Sequence, residues 1–166
     1  MKYPIGIQTF DKIILGDYVY VDKTDLIYRL VKNGNTYFLG RPRRFGKSLL
    51  VSTLESYFLG KKDLFKGLAI EKMEKEWIQY PVFHIDLSTG NYLNDGALEE
   101  ILGGYLSAWE KQYNINNQFT DLGKRFQQVL HQAHIQTGQG AVVLIDEYDK
   151  PILDVLELDY HVEHLG

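Results

Sequence analysis

Residues 36–51 place the strictest constraint on what this chain can fold into. An apolar run, Thr36-Tyr37-Phe38-Leu39, leads into Arg41-Pro42-Arg43-Arg44-Phe45-Gly46-Lys47-Ser48, and Leu49-Leu50-Val51 leads out. The order reads as a strand over 36–39, a loop closing on Gly-Lys-Ser, and a helix from about Gly46 to Phe58. Consecutive backbone N–H groups in such a loop, backed by the positive end of a helix, offer many donors without bulk. That is what a string of phosphates requires. Gly46 lets the main chain approach closely, Lys47 is placed to reach the β- and γ-phosphates, and the Ser48 hydroxyl is a ligand for Mg²⁺. The donor cradle is expected to run through Arg43, Arg44, Phe45, Gly46, Lys47, Ser48 and Leu49.

One position departs from the usual loop, which begins with Gly six residues before the Lys. Here that residue is Arg41, and Gly40 lies one position earlier. Pro42 explains how Arg41 can stand there: a residue preceding Pro is pushed to an extended conformation, and Pro itself has no N–H to give. The cradle therefore starts at Arg43. Arg43 and Arg44 are candidates for phosphate contact, and equally for solvent or for pairing with nearby acids.

A phosphate loop needs an acidic partner. Ala141-Val142-Val143-Leu144-Ile145 is a continuous apolar run, the pattern of a strand buried on both faces, and it ends in Asp146-Glu147. Asp146 then suits Mg²⁺ at the carboxyl end of a sheet, and Glu147 is placed to polarise an attacking water. Val82-Phe83-His84-Ile85-Asp86-Leu87, introduced by Pro81, is a second strand ending in an acid. It lacks the adjacent Glu, so Asp146 is preferred, with Asp86 and Ser88 close by if the two strands are parallel.

The rest of the chain alternates helix and strand, which indicates an α/β fold with a mostly parallel sheet between helices. Residues 1–22 read as irregular and strand-like, with Tyr18-Val19-Tyr20-Val21 β-prone after a turn at Gly16-Asp17. Asp22 or Thr24 caps a helix bearing Leu26, Ile27, Leu30 and Val31, which stops at Asn33-Gly34. Gly60 is placed to end the helix after the loop. Residues 61–80 are a connector with a short helix around Met73 and Trp77. Leu98, Ile101, Leu102, Tyr105, Leu106, Trp109 and Tyr113 share one face of an amphipathic helix, with Gly103-Gly104 inside it. A further helix carries Leu122, Phe126, Val129, Leu130 and Ala133 and ends near Gly138.

Composition excludes several classes. No apolar run approaches the roughly 20 residues that span a bilayer, and the N-terminus does not resemble a signal peptide. The absence of cysteine removes disulfides, thiolate catalysis and Cys-ligated zinc, and a cytoplasmic location is the default. A net charge of -4 argues against a general nucleic-acid-coating surface. Arg41, Arg43, Arg44 and Lys47 nevertheless concentrate positive charge at the loop, so a nucleic-acid-binding module is an alternative reading. His131-x-x-His134 lacks a third ligand and reads as two helix positions. His161-x-x-His164 falls in a polar tail. The twelve Tyr read as packing, and Asp149-Lys150 before Pro151 as a turn with a local ion pair.

The chain resembles the AAA-ATPase-like domain of bacterial proteins that often carry a PD-(D/E)XK-type nuclease domain at the C-terminus. The matching stretches are Tyr3-Pro4-Ile5-Gly6-Ile7-Gln8-Thr9-Phe10, Tyr20-Val21-Asp22-Lys23-Thr24, Arg41 through Leu49, and Leu144-Ile145-Asp146-Glu147-Tyr148-Asp149-Lys150-Pro151-Ile152. Arg41 then belongs to the family's own variant of the loop. The resemblance implies a P-loop NTPase fold with an extra strand, Val82 to Leu87, between the two motifs. It implies ATP and Mg²⁺ as cofactors, Lys47 and Ser48 on phosphate and metal, Asp146 on the metal and Glu147 as catalytic base. Such folds carry further strands after the acidic motif. Residues 1–155 are therefore expected to be the N-terminal part of the full fold, and 156–166 a polar tail or the start of a continuation. The expected activity is Mg²⁺-dependent ATP hydrolysis within a larger protein, with an ATP-binding switch of little turnover as the alternative.

Overall fold

The computed structural model describes residues 2–40 and 45–154. Arg41 to Arg44 and the expected tail, with His161 and His164, lie outside the described residues. The chain divides into two compact units, Met1–Val82 and Phe83–Gly166.

The first unit is helical. Phe10, Ile13 and Ile14 lie three and four residues apart, and the chain coils there into α1, Phe10–Leu15. This corrects the expectation of an irregular, strand-like 1–22. The turn at Gly16-Asp17 forms, with Asp17 at φ 54°. Beyond it Tyr18 makes an isolated parallel bridge to Lys2 instead of a strand, and Tyr20 packs edge-on to Phe10 at 5.3 Å. A strand needs a ladder partner, and a single bridge does not supply one.

Helix α2 spans Thr24–Asn33. Ile27 is buried and Val31 packs behind it, but Leu26 is 55% exposed and lies off the expected stripe. Helix α3, Lys47–Phe58, ends in a Schellman motif. The Lys61 N–H donates to the Ser56 carbonyl and the Gly60 N–H to the Tyr57 carbonyl, which requires Gly60 to take φ 68°. A 3₁₀ turn, Lys62–Phe65, and the short helix α4, Ala69–Met73, follow. Trp77 falls outside α4 at φ 44° and lays its ring on Phe65 at 5.1 Å. Phe10, Ile27, Tyr57, Leu64, Phe65 and Ile70 form the core of this unit. Thr36–Leu39 is not a strand: its backbone has no regular structure, and Tyr37 and Phe38 are 52% and 78% exposed.

The second unit holds a small parallel sheet of two strands, β1, Val82–Asp86, and β2, Val142–Asp146. Helix α5, Ala97–Gln112, and helix α6, Leu122–Thr137, pack on one another. Phe83, fully buried, meets Leu106, Tyr113, Val129 and Ala133. Asp121 caps α6 by accepting from the Lys124 N–H, and Gly138 closes it at φ 68°. A Cβ added at Gly103 would stand 3.9–4.0 Å from Arg125 and Leu122, in ordinary contact with α6. The expectation for β2 is corrected: Val143 and Ile145 are 39% and 48% exposed, so the strand is covered on one face only. The architecture is mixed helix and strand, compatible with an α/β fold. Among the described residues no helix is long and apolar enough to cross a membrane.

Candidate functional site

The loop stretch lies in the first unit. Gly46 sits at φ 76°, ψ 23° immediately before α3, a left-handed conformation that a residue with Cβ adopts at a cost. Its carbonyl accepts from the Leu50 N–H at 3.0 Å and so closes the first turn. The N–H groups of Lys47, Ser48 and Leu49 belong to the first turn, where the helix itself provides no acceptor. No acidic side chain stands there, and Gly46 has no side chain with which to cap it. The positive end of a helix such as α3 favours an anion. Lys47 is 9% exposed, Ser48 and Leu49 are half-buried, and Phe45 is 64% exposed. Arg43 and Arg44, the remaining expected contacts, lie outside the described residues.

The helix is anchored from behind. The Ser52 hydroxyl accepts from the Phe10 N–H at 2.9 Å, so α3 itself caps the start of α1. The Asp22-Lys23-Thr24 segment is a second fastening. Asp22 accepts from the Thr24 N–H (2.9 Å), the Thr24 hydroxyl (2.7 Å) and the Ala69 N–H (2.7 Å), while Thr24 Oγ1 accepts from the Ile70 N–H (3.0 Å). Burial would raise the Asp22 carboxyl, but the bonds from Thr24 and Ala69 outweigh it and hold it below the usual range. This segment therefore ties the starts of α2 and α4 together.

The acidic stretch at the end of β2 lies in the second unit. The Leu87 N–H donates to the Asp146 carbonyl at 3.1 Å, which sets Asp86 and Asp146 at matching last positions of adjacent strands. Asp146 is 7% exposed, and its Oδ1 accepts from the Glu147 N–H at 3.0 Å. Glu147 turns the chain at φ 52°. Asp86 Oδ1 accepts from the Ser88 N–H at 2.8 Å, and the Tyr105 hydroxyl lies 3.1 Å from both main-chain polar atoms of Asp86. Lys150 pairs with Asp154 through both carboxylate oxygens, at 2.8 and 2.9 Å, a partner the sequence reading did not name. His134 Nδ1 lies 2.9 Å from the Gln139 carbonyl at the end of α6, and no group of three metal-ligating side chains occurs among the described residues.

Glu74 and Ser52 escape sequence reading. Each is one polar residue among several, and nothing in spacing marks it. A family model described as a predicted AAA-ATPase matches residues 4–165. The chain belongs to this AAA-ATPase-like family. A nucleotide-binding, ATPase-like module follows at that level. An uncharacterized protein from the vnfD 5′ region of Azotobacter chroococcum mcd 1 is 44% identical over 156 residues. The match takes in 93% of this chain and 30% of that protein, so the AAA-ATPase-like domain spans under a third of the length of this curated relative. No solved structure matches the chain.

Proposed function

We propose that this AAA-ATPase-like domain binds ATP with Mg²⁺ and hydrolyses it, as one module of a larger protein. The observation that carries the reading is Gly46 in its left-handed conformation, opening α3 directly onto Lys47 and Ser48. The first-turn N–H groups and the Lys47 ammonium hold the phosphates, with Arg43 and Arg44 completing the cradle. The Ser48 hydroxyl and the Asp146 carboxylate are hard oxygen donors of the kind Mg²⁺ takes, and they would hold it. When bound, the ion neutralises charge building up on the phosphates. Glu147 accepts a hydrogen bond from the attacking water and orients it. Catalysis is then positioning and charge neutralisation.

A P-loop NTPase fold is the architecture this reading requires, with residues 1–155 its N-terminal part and 156–166 a polar tail or the start of a continuation. The parent protein is proposed to couple nucleotide state to an effector such as a C-terminal nuclease domain, in the cytoplasm.

Single-turnover hydrolysis of ATP tests the catalytic part. Glu147→Gln is expected to slow the step by about 100-fold or more, the usual scale for a positioned general base, while leaving Mg²⁺-ATP affinity near that of the wild type. Equal rates in the two proteins would leave an ATP-binding switch without turnover.

A further inference from the structure

We infer that Tyr92 and Lys150 are positioning residues for Glu147, closing a ring of contacts that holds its backbone in the left-handed conformation. The inference rests on the proposed role of Glu147 in orienting water. A glutamate at φ 52° is unfavourable because Cβ crowds the main chain. Such a conformation persists where the surroundings over-determine it, and here they do.

The ring can be followed contact by contact. The Glu147 N–H donates to Asp146 Oδ1 at 3.0 Å, and the Lys150 N–H donates to the Glu147 carbonyl at 3.0 Å. The Lys150 ammonium stands 5.9 Å from the centre of the Tyr92 ring, within reach of a cation–π contact. Tyr92 is 6% exposed and donates its hydroxyl to the Leu87 carbonyl at 2.9 Å. The Leu87 N–H then returns to the Asp146 carbonyl at 3.1 Å. The circuit joins the ends of both strands, the segment after β1 and the turn after β2, with Glu147 inside it.

Asp154 keeps the ammonium in place through both its carboxylate oxygens. A Lys placed four residues before an acid is the less stabilising order on a helix. The charged and titratable groups acting on the Tyr92 hydroxyl are Tyr105, Asp154 and Asp86, and its titration is raised first by burial and then by these.

Two readouts on the full chain test the ring. In Tyr92→Leu, amide hydrogen exchange at Lys150 is expected to quicken by about five- to tenfold, the equivalent of one cation–π contact with one hydrogen bond, while the Leu106 amide in α5 is unchanged. Tyr92→Phe, which keeps the ring face and loses only the hydroxyl, is expected to show a smaller rise. Single-turnover hydrolysis should fall by about tenfold in Lys150→Met with the Kd for Mg²⁺-ATP unchanged, and recover in Lys150→Arg, which keeps the cation. Unchanged exchange at Lys150 in Tyr92→Leu, or an equal rise at Leu106, would overturn the ring. So would a Lys150→Met loss that Arg does not restore. A wild type that binds Mg²⁺-ATP without turnover would remove the role given to Glu147, and the exchange result alone would then decide whether the ring exists.

Discussion

Glu74 is 5% exposed and gathers hydrogen bonds from three directions in the first unit. Oε2 accepts from the Tyr57 hydroxyl on α3 and lies 3.2 Å from the Lys32 ammonium on α2, while Oε1 accepts from the Lys75 and Glu76 N–H groups at 2.8 and 3.1 Å. Burial alone would raise this carboxyl. The bonds from Tyr57, Glu76, Lys32 and Lys75 outweigh it and bring it down from 4.5 to about 2. A carboxyl held below its unfolded value stabilises the folded state at neutral pH, and that stability is lost as pH falls from 4.5 towards about 2. Its scale is at most about 3 kcal/mol. Glu74→Gln should therefore lose about 2 kcal/mol in urea unfolding at pH 7 and differ much less from the wild type at pH 3. A gap of equal size at both pH values would contradict the role. Gly46, Lys47, Ser48, Asp146 and Glu147 were singled out by sequence because the loop and the strand end each carry a recognisable order. Glu74 stands in the run Lys72-Met73-Glu74-Lys75-Glu76, where nothing separates a buried acid from a solvated one.

At the scale of elements, α3 is held at both ends by glycines in the left-handed region, Gly46 before it and Gly60 after it. A Cβ at Gly60 would stand 3.1 Å from the Trp77 carbonyl, on top of the strain of φ 68°. Gly60→Ala should cost about 1–2 kcal/mol by thermal or urea unfolding, and an unchanged midpoint would mean the Schellman end is not formed. The helices α2, α3, α5 and α6 were legible because their apolar spacing and terminal residues agree. Misreadings came where pattern is silent about partners. Thr36–Leu39 has the composition of a strand, but a strand exists through its neighbours, and these residues take no regular structure. In Val142–Ile145 both alternating sets are apolar, so the sequence could not reveal that Val143 and Ile145 face outwards. The short helix α1 was hidden for a different reason: Phe10, Ile13 and Ile14 give a single turn's worth of period, and Ser52 on α3 supplies the cap that its own sequence does not.

At the scale of the molecule, the family match covers 4–165 and takes in both the Gly46-Lys47-Ser48 and the Asp146-Glu147 stretches. The chain spans 30% of the length of this curated relative, and the proposed coupling to an effector concerns the whole protein. The central claim is narrower, that the Gly46-Lys47-Ser48 start of α3 binds the phosphates of ATP. Calorimetric titration of ATP in Mg²⁺ into the wild type and into Lys47→Ala tests it most directly. The account predicts saturable binding by the wild type and an affinity lower by about 10- to 100-fold in Lys47→Ala, the scale of one charged hydrogen-bonding contact to phosphate. Equal affinity in the two proteins, or no saturable binding by the wild type, would contradict it.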